Sequence, residues 1–132
     1  MKKFLVVLTL LSAYVQSYGN DICDSSVVKA TVEKYNFKTP LKLNDHTTFT
    51  GASCVNNTIR FIYNVSDESF EILKNKGEAN LKRDMCLEPS IKVLLTTIGA
   101  DKIIRTYINK SLTERFQFSV TEKECKELLP GF

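Results

Sequence analysis

The stretch "TTFTGASCVNNTIRFIYNV", Thr47 to Val65, decides how this chain is read. Two β-rich runs flank Asn56-Asn57, a pair suited to a tight turn. In the second run Ile59, Phe61, Tyr63 and Val65 alternate onto one face, the period of a strand rather than of a helix. The two runs therefore predict a β-hairpin with one apolar face, which must be covered by something else in the chain.

Working outward, "KIIRTYIN" and "RFQFSV" form a second β-rich pair, joined over Lys110 to Thr113. Phe116, Phe118 and Val120 face one way and Arg115, Gln117 and Ser119 the other, again a hairpin. Helical signals separate and flank the pairs. Asp24 or Ser25 can cap a first helix, with Val28, Thr31, Val32 and Tyr35 at helical spacing as far as about Tyr35. "KTPLKLNDH" then reads as a break. After Ser66-Asp67, a cap signal, Phe70, Leu73, Gly77 and Leu81 make one amphipathic stripe, weakened at Gly77. Another helical piece starts at Pro89, turns Ile91, Leu94, Leu95 and Ile98 inward, and stops at Gly99. Thr121 with Glu124 three residues on has capping-box spacing for a short last helix. The order α, hairpin, α-α, hairpin, α predicts an α+β domain. It should hold an antiparallel sheet of about four strands, two hairpins, with helices packed mainly on one face and disulfides stapling it.

The N-terminus reads differently. Lys2 and Lys3 precede an apolar run from Phe4 to Leu11, and Ser17-Tyr18-Gly19 places small residues where a signal peptidase needs them. Residues 1–19 are expected to be a signal peptide and residues 20–132 a single domain. The chain carries 18 basic and 15 acidic residues; losing Lys2 and Lys3 leaves 16 against 15, a net charge of +1. A near-neutral chain without a basic stripe argues against nucleic acid as a partner. Cys23 follows the apolar run closely enough to raise lipidation, but Ile22 precedes it where a lipoprotein has a small residue. No membrane anchor is expected after cleavage, and the location is periplasmic or secreted.

Cys23, Cys54, Cys86 and Cys125 all lie beyond the signal, and an even number in a small exported domain points to two disulfides. Three pairings are possible. The preferred one, Cys23 with Cys54 and Cys86 with Cys125, closes one half of the chain each, removing about 3–4 kcal/mol of unfolded-state freedom apiece. The spacing lacks the close pairs of a zinc site, so no metal and no cofactor is implied.

Catalytic groups are scarce. The single histidine, His46, stands beside Asp45 in a polar stretch, and no G-x-S-x-G, P-loop or H-E-x-x-H motif occurs. Glu68, Glu71, Glu122 and Glu124 fall in helix first turns, where the macrodipole accounts for them. Asn56, Asn64 and Asn109 head N-glycosylation sequons that chance explains in a chain rich in Asn, Ser and Thr; the Lys-Lys signal reads as bacterial. Tyr63 and Tyr107 are candidate binding anchors, able to project phenols at the sheet rim.

The blocks "PLKLNDHTTFTGASCVNNTIRFIYNV" and "DMCLEPSIKVLLTTIGADKIIRTYINKSLTERFQFSVTEKEC" together resemble a pattern in small exported bacterial proteins of unassigned function. The matching residues are Asp45, Thr48, Tyr63, Cys86, Gly99, Tyr107, Phe118 and Cys125. The resemblance implies an α+β fold and a Cys86–Cys125 bond, and brings no mechanism. The pattern turns its last hairpin on Asp-Gly, where this chain has Lys110-Ser111-Leu112, and Cys23 and Cys54 are additional to it. The leading expectation is a non-enzymatic protein that binds another envelope or secreted protein, as a secretion or envelope accessory factor or as an inhibitor or immunity protein. The alternatives are a small hydrolase using His46 with Asp45, and a carrier of a small apolar ligand held between sheet and helices.

Overall fold

The computed structural model describes residues 21–132. The expected signal peptide, residues 1–19, lies outside the described residues. One 3₁₀ turn at Ile22–Asp24 leads into α1 (Ser26–Phe37), which Ser25 caps by accepting from the Val28 amide. β1 (Leu41–Asn44), β2 (Thr47–Val55) and β3 (Thr58–Val65) follow, then α2 (Asp67–Lys76), α3 (Glu78–Cys86) and α4 (Pro89–Val93), which runs on as a π-turn over Leu94–Ile98. β4 (Lys102–Asn109), β5 (Arg115–Val120) and α5 (Glu122–Leu128) complete the chain.

The class is α+β, and both expected hairpins form. Asn56 and Asn57 both take positive φ, 50° and 60°, the geometry of the turn that matches strand twist. Two features of the sheet go beyond the hairpins. The segment that reads as a break, Leu41–Asn44, pairs antiparallel with β2 and makes a fifth strand, and the strand order is β1-β2-β3-β4-β5. The two hairpins also meet through a parallel pair, β3 beside β4, in a register that sets Ile59 by Ile103, Phe61 by Arg105 and Tyr63 by Tyr107. The reason lies between them: α2, α3 and α4 carry the chain back across the sheet face. β4 thus starts at the end where β3 started, as parallel strands require.

That face is the core. Phe49, Ile59, Phe61, Ile103, Phe118 and Val120 are buried against Leu81, Met85, Ile91, Leu94 and Leu95 from the helices. The expected single helix through Gly77 is two helices. Gly77 sits at φ 87°, ψ 146°, a region open to glycine, so the chain turns there and α3 swings onto β5. Gly99, at φ 88°, closes the π-turn as a left-handed cap, its amide donating to the Leu94 carbonyl. Thr121 caps α5 by accepting from the Glu124 amide at 3.1 Å.

Two disulfides tie the layers: Cys23 to Cys54, joining the N-terminal turn to β2, and Cys86 to Cys125, joining α3 to α5. The second is fully inside the core, the first only half-buried. Polar clamps work beside them. Asp21 accepts from the Cys23 and Asn57 amides, and Asn57 Oδ1 accepts from the Ile22 amide at 2.7 Å. β1 covers only part of β2's outer edge; beyond a bulge between Phe49 and Gly51, the Ala52 amide and carbonyl pair with the Asn36 side chain at 2.8 and 2.9 Å. Asn36 thereby fixes the end of α1 against the sheet, and with it Tyr35.

Exposure orders the two disulfides: under increasing reductant with timed alkylation and mass spectrometry, Cys23 and Cys54 should be labelled before Cys86 and Cys125. Gly77→Val should lower stability by about 1–3 kcal/mol, read as a lower urea midpoint at unchanged slope, because a branched side chain has to adopt a glycine conformation there.

Candidate functional site

The parallel register builds an aromatic row across the core face. Phe49 on β2 lies 5.4 Å from Tyr63 on β3, Tyr63 stacks on Tyr107 of β4 at 5.2 Å, and Tyr107 lies 5.4 Å from Phe116 of β5. Phe70 of α2 closes on Phe116 at 5.1 Å, and Tyr35 of α1 meets Phe61 edge-on at 5.2 Å. Such pairs add about 0.5–1.5 kcal/mol each beyond their burial. Tyr63 and Tyr107, the two candidate anchors, are thus neighbours, half-buried where the helical layer leaves the row partly open.

One charged side chain stands among these rings. Arg105 shares its face of β4 with Ile103 and Tyr107, and lies beside Phe61 on β3 and Phe118 on β5. A buried guanidinium needs a carboxylate. Glu88, immediately before Pro89 at the start of α4, supplies it in a forked pair: Arg105 Nη1 donates to Oε2 at 2.5 Å and Nη2 to Oε1 at 2.7 Å. Arg105 also lies over the Tyr63 ring, 5.7 Å from its centre. Its Nε is buried and finds no acceptor in the protein.

The electrostatics follow from burial and this pair. Burial pushes both phenols, Tyr63 and Tyr107, above the usual tyrosine range, against the opposing pull of Arg105. Burial by itself would loosen the Arg105 proton, but the hydrogen bonds to Glu88 together with the electrostatic effects of Tyr63, Glu88 and Tyr107 outweigh it, and the proton is held more firmly than usual. Arg105 is a permanent cation at any physiological pH.

Beside the pair a groove of about 210 Å³ opens between the end of α1, β1 and the start of α4. Tyr35, Leu41, Leu43, Phe49 and Tyr63 line it, with Arg105 and Glu88 as its charged groups. Leu43 is 52 % exposed, and Phe37, which ends α1, is 86 % exposed. Apolar side chains so close in sequence and so open to water mark a surface with something to cover.

The remaining candidates are placed as follows. His46 lies in the β1–β2 turn, with Nδ1 3.4 Å from Ser66 Oγ and its carbonyl accepting from the Ser66 amide. Asp45 is exposed and pairs with Lys42 at 3.5 Å. Ser66 Oγ caps α2, so this contact locks a turn against a helix start. Asn109, read above as a sequon, is 6 % exposed and organises the β4–β5 loop: its Oδ1 accepts from the Thr113 and Glu114 amides and its Nδ2 donates to Thr113 Oγ1. The seam between α1 and the π-turn, where a carried ligand would sit, holds only about 10 Å³, room for one water. Among the described residues no helix is long and apolar enough to cross a membrane, and no group of three acids, cysteines or histidines gathers for a metal.

Sequence reasoning passed over Arg105, Glu88, Leu41 and Leu43. Arg105 carried a usable signal: with Ile103 and Tyr107 it forms one face of a period-two run, and a cation on an apolar face demands a partner. Nothing near it in sequence names Glu88, 17 residues earlier.

No protein-family model matches this sequence, and no curated protein matches it at a significant level. Its fold is shared with solved structures. A protein from Pseudomonas aeruginosa described as a candidate secreted protein superposes with a TM-score of 0.63 at 14% identity, covering 76% of this chain and 91% of that one. The pilotin of the Vibrio vulnificus type 2 secretion system, EpsS, superposes with a TM-score of 0.55 at 11% identity, covering 73% and 86%. At these identities the likeness is one of fold.

The raised tyrosine values have a consequence at high pH. An unfolded tyrosine ionises near pH ~10. A phenol held neutral above that value in the fold contributes its full share of stability below pH ~10 and loses it as the pH rises through the folded value. Urea unfolding between roughly pH 9 and pH 11 should therefore show stability falling, and Tyr107→Phe should flatten that fall.

Proposed function

We propose that the protein is exported by cleavage of residues 1–19 and works without catalysis, by receiving a segment of another envelope or secreted protein in the groove beside Tyr63. One observation carries this reading: Leu41, Leu43 and Tyr35 stand half-exposed around a floor that holds a partly buried ion pair. An apolar rim over a few fixed polar groups is the usual anatomy of a binding anchor site. Tyr63 is the anchor ring on the floor, and Tyr107 supports it from the next strand.

Two disulfides suit an oxidising compartment. Sharing a fold with a secretion-system pilotin favours an accessory role in a secretion or envelope assembly over an inhibitor or immunity role. Between sheet and helices the carrier alternative has little room, since small-molecule pockets run to about 300–1,000 Å³ and the groove there is smaller and open. The hydrolase alternative has His46 in a turn-locking contact and Asp45 engaged with Lys42.

The test is site-specific photo-crosslinking in the host's envelope. A crosslinker at Leu43 should trap one discrete protein, and one at Lys123 on the outer side of α5 should not. Leu41→Asp should abolish the Leu43 adduct while leaving the melting temperature within a few degrees. The same band pattern from both positions would remove the groove as the binding surface.

A further inference from the structure

Resting on that reading of the groove, we propose that its occupant is an aliphatic peptide segment carrying one carboxylate, and that Glu88 is an internal stand-in which this carboxylate replaces on Arg105. The walls select the first half of that description. Leu41, Leu43, Phe49, Phe61 and Ile91 offer only apolar surface, and the hydroxyls of Tyr35, Tyr63 and Ser90 are the uncharged polar groups among them. The charges select the second, because the groove's lining holds one cation and one acid, and they are already paired.

The partners of that pair are not equal. Arg105 is 14 % exposed and is fixed at mid-strand, with β3 on one side and β5 on the other. Glu88 is 41 % exposed and stands in the joint between α3 and α4, where its side chain makes no helix cap. Turning Glu88 out to water restores hydration to its carboxylate. Arg105 cannot follow, so a cation is left facing the groove in an apolar setting. A buried charge without its partner is costly, and a second carboxylate relieves that cost. The exchange is close to balanced in charge, and the apolar contacts of the arriving segment tip it.

The geometry of the fork adds a reason for exchange. Glu88 binds Arg105 end-on, through Nη1 and Nη2. Nε is left buried with no protein acceptor, a rare deficit in a finished structure. An acceptor that engaged Arg105 side-on, through Nε and one Nη, would satisfy the donor that Glu88 leaves orphaned, once Glu88 has turned out and the guanidinium is uncovered. Glu88 meanwhile keeps the empty groove neutral, so the unbound protein does not hold a bare buried cation.

The experiment uses the oxidised protein and a phage-displayed library of random dodecapeptides. Panning against wild type, with sequences that still bind Leu43→Asp discarded, should enrich peptides with two or more aliphatic residues and one Asp or Glu. A synthetic peptide from that set should bind Glu88→Gln about tenfold more tightly and Arg105→Gln about tenfold or more weakly. Replacing the peptide's own acid by its amide should weaken binding to wild type by a similar factor and change binding to Arg105→Gln little, the signature of a direct pair. Melting curves accompany each variant. If Arg105→Gln does not fold, Glu88→Gln with the acid and amide peptides decides the matter, since the tightening must vanish for the amide. Selection of Leu43-dependent peptides without acid enrichment overturns the carboxylate while leaving the groove as a binding site. Absence of any Leu43-dependent peptide overturns both.

Discussion

The parallel pairing of β3 with β4 is the constraint from which the rest of the molecule follows. Either hairpin alone would present a short apolar face with an open edge. Joined in this register, they align Phe49, Tyr63, Tyr107 and Phe116 into one row and place Arg105 beside Phe61. A parallel join cannot be made by a turn, so the chain has to travel back over the sheet. That return path, α2 to α4, is also the cover that the apolar face requires. Sheet order and core formation are therefore one event.

The return path has to bend to stay on the face, and each bend has its residue. Gly77 turns α2 into α3, Pro89 opens α4 after the joint at Leu87–Glu88, and Gly99 ends the π-turn ahead of β4. The joint at Glu88 has a second effect, since it brings a carboxylate over mid-strand β4, where Arg105 stands. Without that acid, a guanidinium on this face would carry the penalty of a buried lone charge, which exceeds the gain from any single aromatic contact. The pair and the bend thus support one another.

Covalent and polar ties act at two ends. Cys23–Cys54 and the Asp21–Asn57 exchange hold the N-terminal turn against the first hairpin, and Asn36 seals the edge of β2 that β1 leaves uncovered. Cys86–Cys125 joins α3 to α5, with Lys82 bound to Glu124 at 2.7 Å beside it; that contact, chiefly its hydrogen bond, holds the Glu124 carboxyl below the usual range. Between the ties lies the groove, whose walls are the end of α1 and the four-residue strand β1.

What the sequence determined by itself was local: two hairpins from period-two alternation and the Asn56-Asn57 turn, a cap at Asp24 or Ser25 and others at Ser66-Asp67 and Thr121, a stop at Gly99, and the faces of β3 and β5. These depend on neighbours within a few residues, where sterics and hydrogen bonding leave few choices. Four things were decided only in three dimensions. Leu41–Asn44 is a strand because β2 offers it an edge, although the segment follows Pro40 and is too short to show a period. The stripe from Phe70 to Leu81 is two helices because Gly77 lets the chain turn toward β5. The hairpins pair in parallel because the helices return across the face. Arg105 has Glu88 because that return path stops above it, and a contact between residues 17 apart on separate elements leaves no pattern in the order of the chain.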